Sequence, residues 1–556
     1  MLGGDSRGRS MSVRGTEMDD DHRSTRLVRT TDSTGVHPQT ARSGWRFGSE
    51  LEGLRRRPFL IESALLLGLM GSCAVAFGRS LGAGPVYDEG VYLASVDALA
   101  HGQTLGSQVF ASQPPGFYLL LEAGRAVFGG SLVSMRLVML LVALVGVLSA
   151  YYIGRCLTGP PGGLIATALL AAPLLVEHEA VRVRADFPSV ALSLLAIALA
   201  FLAVRQPGVM GPVVASLAGG TLVLAISVKL LAVPAVVPVV VIVLRSARRL
   251  ALPLTAGAVA VLAVLGGFFA GVIEPLWNDS IRFHLAAQSA LIRGRPRNLA
   301  GNFSFIVGTL TDSNGLRSPF AWLVVVGAVG MLLSWRRGRL LEAIPLWLWA
   351  AVSFAFLFWH RPLWDHDIVM LTASLGVASG VGIAALLGEG RLAARAAVVA
   401  CAVVIAATIA YQFQRLPAGE SEGIEWAATE LCSQTPRNSE VASDLPIIPF
   451  LADRRQPGLL VDTSTTRIGS GWLTQRTIVG SIGRSRLSAV VLGHNLASER
   501  QVVRAVRARF PFSLSRAGVD IPGEKPTVVR IFFATPRNAR TGRHAGGAAA
   551  DCGEPS

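Results

Sequence analysis

Long apolar runs broken by short polar passages cover most of the chain. They lie near 59–80, 132–154, 162–178, 187–204, 212–227, 230–245, 252–273, 319–334, 340–358, 368–387 and 394–413. A helix needs ~20 apolar residues to cross a ~30 Å hydrocarbon core, so the pattern predicts a polytopic α-helical membrane protein of about eleven spans. The breaks alternate in charge. One set holds Arg155, Arg205, Arg245, Arg248, Arg249, Arg336, Arg337, Arg339, Arg391 and Arg395, with Glu389 as its only acid and Glu342 just inside the following span. The other set holds Asp88, Glu89, Glu177, Glu179, Asp186, Glu274, Asp279, Asp365 and Asp367. Positive charge stays on the cytoplasmic side, so the first set is read as inner and the second as outer. Arg55, Arg56 and Arg57 abut the first span and hold the N-terminus inside; an odd span count then places the C-terminal part outside.

Two outer loops are long, 81–131 and 274–318, and within them 88–100 and 298–311 read as helices lying flat at the interface. Residues 1–57 are polar and are expected to form a disordered cytoplasmic tail. The multi-span part covers 58–413. From there to 536 the composition is that of a soluble domain. Glu420–Thr435 looks helical, Val441–Ser443, Leu459–Asp462, Ala489–Gly493 and Val528–Ala534 read as strands, and helical patterns lie near 472–483 and 498–509. That alternation predicts a small extracytoplasmic α/β domain, followed by a disordered tail over 537–556.

Composition fits this picture: 51% of residues are hydrophobic and 16% charged, against about 25% charged in a soluble domain. A net charge of +15 would suggest nucleic acid in a soluble protein. Here arginines in loops facing anionic lipid account for it, and no nucleic-acid partner is expected. The five cysteines are scattered, with neither metal-ligand spacing nor a disulfide pattern.

Candidate chemistry gathers in the outer loops. In Pro85-Val-Tyr-Asp88-Glu89-Gly-Val-Tyr92 two adjacent carboxylates sit where the chain leaves the first span. If a helix starts at Asp88, then Asp88 and Tyr92 share a face. Asp88 reads equally as a general base toward a hydroxyl and as a helix N-cap. Gln113-Pro114-Pro115-Gly116 fixes a rim before an apolar helix resumes. In Arg182-Val-Arg184-Ala-Asp186-Phe-Pro188, Arg184 and Asp186 read as an ion pair, or Asp186 as orienting an acceptor or supporting the Asp88 loop. Lys229 is set in apolar sequence and needs an anionic partner, either a phosphate or a bundle carboxylate. Arg293, Arg295 and Arg297 are a basic cluster on the acidic side, suited to phosphate oxygens or to lipid headgroups. The run His360-Arg361-Pro-Leu-Trp364-Asp365-His366-Asp367 reads first as a hydrogen-bonded cavity loop. A divalent cation there stays open, and no cofactor is certain.

Asp-Glu-x-x-Tyr in the first outer loop, then Pro-Pro with aromatic and Leu residues, then Arg-x-Asp-x-Pro at the second, resembles the GT-C type glycosyltransferases, in the branch holding the protein O-mannosyltransferases and the lipid A aminoarabinose transferase. The later outer lysine, the His-Arg-Pro-Leu-Trp stretch and the C-terminal domain fit as well. The resemblance covers about 58–413. It implies a polyprenyl-phosphate sugar as donor, a glycan, lipid or protein hydroxyl as acceptor, Asp88 at the catalytic acidic position with Glu89 beside it, and Tyr92 and Asp186 in support. The aminoarabinose branch carries Arg where Val91 stands and Lys where Gln113 stands, both serving the donor phosphate. Their absence shifts the expected phosphate partners to Lys229, Arg293, Arg295 and Arg297. A transporter or flippase for a lipid-linked sugar, and a non-catalytic envelope assembly protein, are the competing readings.

Overall fold

The computed structural model describes residues 48–289, 295–296, 298–312, 319–335, 341–387, 392–414, 422–519 and 527–534. Most of the expected N-terminal tail, all of 537–556, Arg293 and Arg297 lie outside the described residues. The chain divides into two units, 1–58 and 59–556; the following concerns the second, which holds both the helical bundle and the C-terminal sheet.

Each apolar run is helical. Among the described residues, seven helices are long and apolar enough to cross a membrane: Leu60–Gly82, Leu132–Thr158, Asp186–Arg205, Met210–Val228, Arg248–Phe268, Leu341–Trp359 and Asp365–Leu386. The expected count of about eleven rests on ~20 residues per span, and some runs yield shorter helices for a local reason. The run 162–178 breaks after Pro160–Ala171, ahead of Pro173, which removes a backbone donor and disfavours helix at the residue before it. The run 230–245 opens with the tight turn Leu230–Ala235 around Pro234 before Val236–Ser246 forms a true α-helix. The Leu132–Thr158 helix begins at Ser131, whose Oγ accepts from the Ser134 amide at 3.1 Å, and ends at Gly159 with φ +79°. Helices Met210–Val228 and Ala251–Phe268 approach so closely that a Cβ at Gly219 or Gly257 would strike the partner's backbone.

The C-terminal sheet has four strands: β1 (Glu440–Ser443), β2 (Leu487–Leu492), β3 (Phe512–Val519) and β4 (Thr527–Phe533). Their order is β1-β2-β4-β3, with β1 and β2 parallel and the other pairs antiparallel. Leu459–Asp462, expected as a strand, forms a turn around Gly458–Leu460, with Leu460 buried and Leu459 exposed. β3, an edge strand with mostly exposed residues, lacks the apolar run by which a buried strand is read from sequence. Cys432, without an evident partner in the sequence, is disulfide-bonded.

The sheet has two differently covered faces. Val441, Ala489, Val491, Val529, Ile531 and Phe533 join one apolar cluster with Val91, Phe117 and Met135 of the first outer loop and the following span. Ala442, Val490, Leu492 and Phe532 pack instead against Ile478, Ile482, Val502 and Val506, on helices Gln475–Arg484 and Arg500–Arg509. The first outer-loop helix, Tyr87–Ala100, is therefore buried between bundle and sheet; it does not lie flat at an interface. Gly90 permits this, since a Cβ there would stand 2.5 Å from the Ile447 nitrogen.

Candidate active site

Asp88 and Glu89, adjacent in sequence, have opposite surroundings. Glu89 is fully buried. Its oxygens accept from Arg136 Nε at 2.8 Å and Arg136 NH2 at 2.6 Å, from the Val183 amide at 3.0 Å and from the Val86 amide at 3.1 Å. Arg182 adds a contact at 3.4 Å. Burial alone would raise this carboxyl, but the Arg136 charge and hydrogen bonds, with Arg182 and the Val183 amide, outweigh it and bring it to about 2. Glu89 also takes the capping role considered for Asp88, because it sits at the third helical position and reaches back to the Val86 amide. Arg136 in turn donates to the carbonyls of Leu81 at 2.7 Å and Ala83 at 2.6 Å. The pair thus ties the first outer loop to the Leu132–Thr158 span and, through Val183, to the second outer loop.

Asp88 keeps 31% of its side chain exposed and pairs with Arg184 at 2.9 Å; Arg184 also holds Glu179 at 2.9 Å. The chain Asp88–Arg184–Glu179 replaces the Arg184–Asp186 pair considered from sequence. Asp186 is buried at the start of its helix and accepts from Lys229 Nζ, which also donates to Asp367 at 3.0 Å. Of the two partners considered for Lys229, a phosphate and a bundle carboxylate, the structure supplies two carboxylates. Tyr92 is buried; its hydroxyl accepts from Gln113 Nε2 at 3.1 Å, and its ring packs edge-on to Phe117 at 4.9 Å. Asp88 and Arg184 are both within electrostatic reach of His366.

The His360–Asp367 loop is held from three sides. Asn302, fully buried, donates to the carbonyls of Phe358 at 2.9 Å and His360 at 2.8 Å. Asp367 accepts from the Trp364 amide at 2.9 Å, and His360 Nε2 lies 3.9 Å from the same carboxylate. Arg295 lies 4.0 Å over the Trp364 ring and 3.6 Å from Asp365. Arg361 sits half-buried in the same loop. Burial lowers the His360 imidazole, with the Asp367 charge opposing. Among the described residues, Asp186, His366 and Asp367 bring three metal-type ligand atoms within 4.8 Å of one another. The Lys229 ammonium contacts two of these three groups, Asp186 and Asp367.

A further set of residues was missed, because nothing local marks it. His284, from the long outer loop 274–318, hydrogen-bonds the Ser112 carbonyl at 2.7 Å, and Ser280 of the same loop donates to the Gln113 carbonyl at 2.9 Å. Asp279 accepts from the Ala111 amide at 3.1 Å, and burial pushes its carboxyl up to about 6. From the C-terminal region, the Thr463 amide donates to the Tyr87 hydroxyl at 3.0 Å, the His494 ring lies 5.3 Å from that of Tyr87, and Arg467 lies 3.6 Å over Phe110. The 274–318 loop thus holds residues 111–113, and the C-terminal region holds Tyr87, the residue before Asp88.

Residues 112–268 match the family described as dolichyl-phosphate-mannose-protein mannosyltransferase. The fold is similar to that of ArnT from Cupriavidus metallidurans bound to undecaprenyl phosphate, with a TM-score of 0.57, 16% identity, and 84% of this chain and 98% of that one covered. The apo state of the same protein gives a TM-score of 0.56 at 14% identity, covering 86% and 98%. The archaeal oligosaccharyltransferase AglB from Archaeoglobus fulgidus gives 0.48 at 12% identity, covering 80% and 72%. Comparison with curated protein sequences gives no match. The fold is that of the GT-C type glycosyltransferases, carried on a multi-pass membrane bundle.

Proposed function

We propose that this protein moves a sugar from a polyprenyl-phosphate donor to a hydroxyl acceptor at the outer face of the cell membrane. The observation that carries the reading is the contrast within the acidic pair: Glu89 is spent on the frame, while Asp88, next to it, is half-exposed and charge-paired. ArnT, which shares the fold, binds undecaprenyl phosphate, and this supports a lipid-phosphate donor. The disulfide at Cys432 supports an oxidising, extracytoplasmic setting for the C-terminal region.

In this reading Asp88 removes the proton from the acceptor hydroxyl. The hydroxyl oxygen then attacks the anomeric carbon. The bond from that carbon to the lipid phosphate oxygen breaks, and the phosphate departs with the electron pair. Arg184 orients Asp88. Arg295, with Arg293 and Arg297, offsets the charge growing on the phosphate. Lys229 contributes by holding the His360–Asp367 loop to the second outer loop, and Tyr92 by fixing Gln113 at the rim. The N-terminus is cytoplasmic. Mass spectrometry of envelope glycans and lipids from a strain lacking the protein tests the reading: one sugar should vanish from one acceptor class and return with the wild-type gene. An unchanged envelope profile contradicts it.

A further inference from the structure

The C-terminal region carries a second charged surface, on the side of its sheet opposite the first outer loop. Helices Gln475–Arg484 and Arg500–Arg509 turn Ile478, Ile482, Val502 and Val506 toward the sheet. Their outer sides and the passage between them expose Arg476, Arg484, Arg486, Arg500, Arg504, Arg507 and Arg509. Between Gln475 and Arg509, Glu499 is the sole acid, and Gln475 donates to it. Among the described residues, Arg476, Arg484, Arg486, Arg500, Arg504 and Arg507 make no ion pair. Arg500, Arg504 and Arg507 follow a four- and three-residue spacing, so they stand in one row along the helix. Like charges at that spacing destabilise a helix, and a row of them is expected where an anionic partner offsets the repulsion.

Beside this row lies a cavity of about 340 Å³ lined by Leu492, Val503, Thr527, Arg530 and Phe532, among others. That volume is in the range of small-ligand sites. Arg530 is the charged residue in its lining. We infer that this face binds an anionic polysaccharide, with one acidic sugar unit seated beside Arg530 and the following units along Arg500, Arg504 and Arg507. Guanidinium groups pair with carboxylates in a two-pronged geometry, which suits spaced acidic sugars. A bilayer fits less well: the apolar side of the Arg500–Arg509 helix is buried inward, leaving no apolar face to enter lipid. The sheet's other face also packs with the bundle-side loops.

The test uses the full chain in uncharged detergent and polygalacturonate as the probe, with neutral dextran and phosphatidylglycerol vesicles as comparators. Polygalacturonate should bind, more weakly as salt rises, and dextran should not. The triple variant Arg500→Gln, Arg504→Gln, Arg507→Gln, altered only at exposed positions, should weaken polygalacturonate binding about tenfold or more. Arg530→Gln should weaken binding of a short galacturonate oligomer more than that of the long polymer. Unchanged binding by the triple variant, equal retention on dextran, or a preference for the vesicles would overturn the inference. Binding is read without donor or turnover, so Asp88→Asn should bind polygalacturonate as the wild type does, whatever its transfer activity.

Discussion

Arg136→Met is the sharpest perturbation of the frame that presents Asp88. The substitution keeps length and apolar bulk but removes the guanidinium that supplies two bonds to Glu89 and two to the carbonyls of Leu81 and Ala83. Glu89 has an ordinary value of 4.5 and stands at about 2 in the folded protein. At about 1.4 kcal/mol per unit, that difference is worth roughly 3 kcal/mol of stability near neutral pH. Breaking a buried pair from one side costs ~3–5 kcal/mol, which agrees. The sign follows from linkage. A carboxyl depressed on folding stabilises fully above 4.5, and the contribution is lost as pH falls from about 4.5 toward 2. Thermal unfolding of the detergent-solubilised protein should therefore show a large drop in midpoint for Arg136→Met at pH 7. Its midpoint should also depend much less on pH below 4.5 than that of the wild type. Adding Glu89→Gln should recover part of the loss, since no buried charge is then left alone. A midpoint within a degree or so of wild type, or a double variant less stable than Arg136→Met, would refute the structural role of the pair.

Two further substitutions probe the same frame. Gly90→Val places side-chain atoms where the Ile447 nitrogen already lies 2.5 Å from a Cβ; overpacking of this kind costs ~1–3 kcal/mol, and protease digestion should show a loosened C-terminal region with reduced transfer. Lys229→Met leaves Asp186 and Asp367 facing each other without their shared cation; a loss of ~3–5 kcal/mol is expected, measurable as a lowered unfolding midpoint and partly recovered by adding Asp186→Asn.

The bundle was legible because apolar runs of membrane-spanning length have few other uses, and every one of them is helical. Where the helices fall short, at Pro173 and Pro234, a run of apolar residues does not register the break that a proline makes in it. The site was legible in part. Asp88 and Glu89 cannot be ranked from sequence, because what separates them is Arg136, forty-seven residues on and inside a span. Lys229 announced its need for an anion without naming it, and both of its carboxylates come from other helices. The contributions of Asp279, His284, Thr463 and Arg467 depend on how three separate segments pack, and no local spacing encodes that. β3 escaped because an edge strand of exposed residues does not show buried-strand patterning.

The most direct measurement is release of polyprenyl phosphate from a polyprenyl-phosphate-linked sugar by purified wild-type and Asp88→Asn protein, each first shown to have the same unfolding midpoint and elution profile. Losing a general base costs about 10²–10⁴-fold in rate, so the variant should turn over at least ~100-fold more slowly. Asp88→Asn protein that releases polyprenyl phosphate at the wild-type rate would contradict the account.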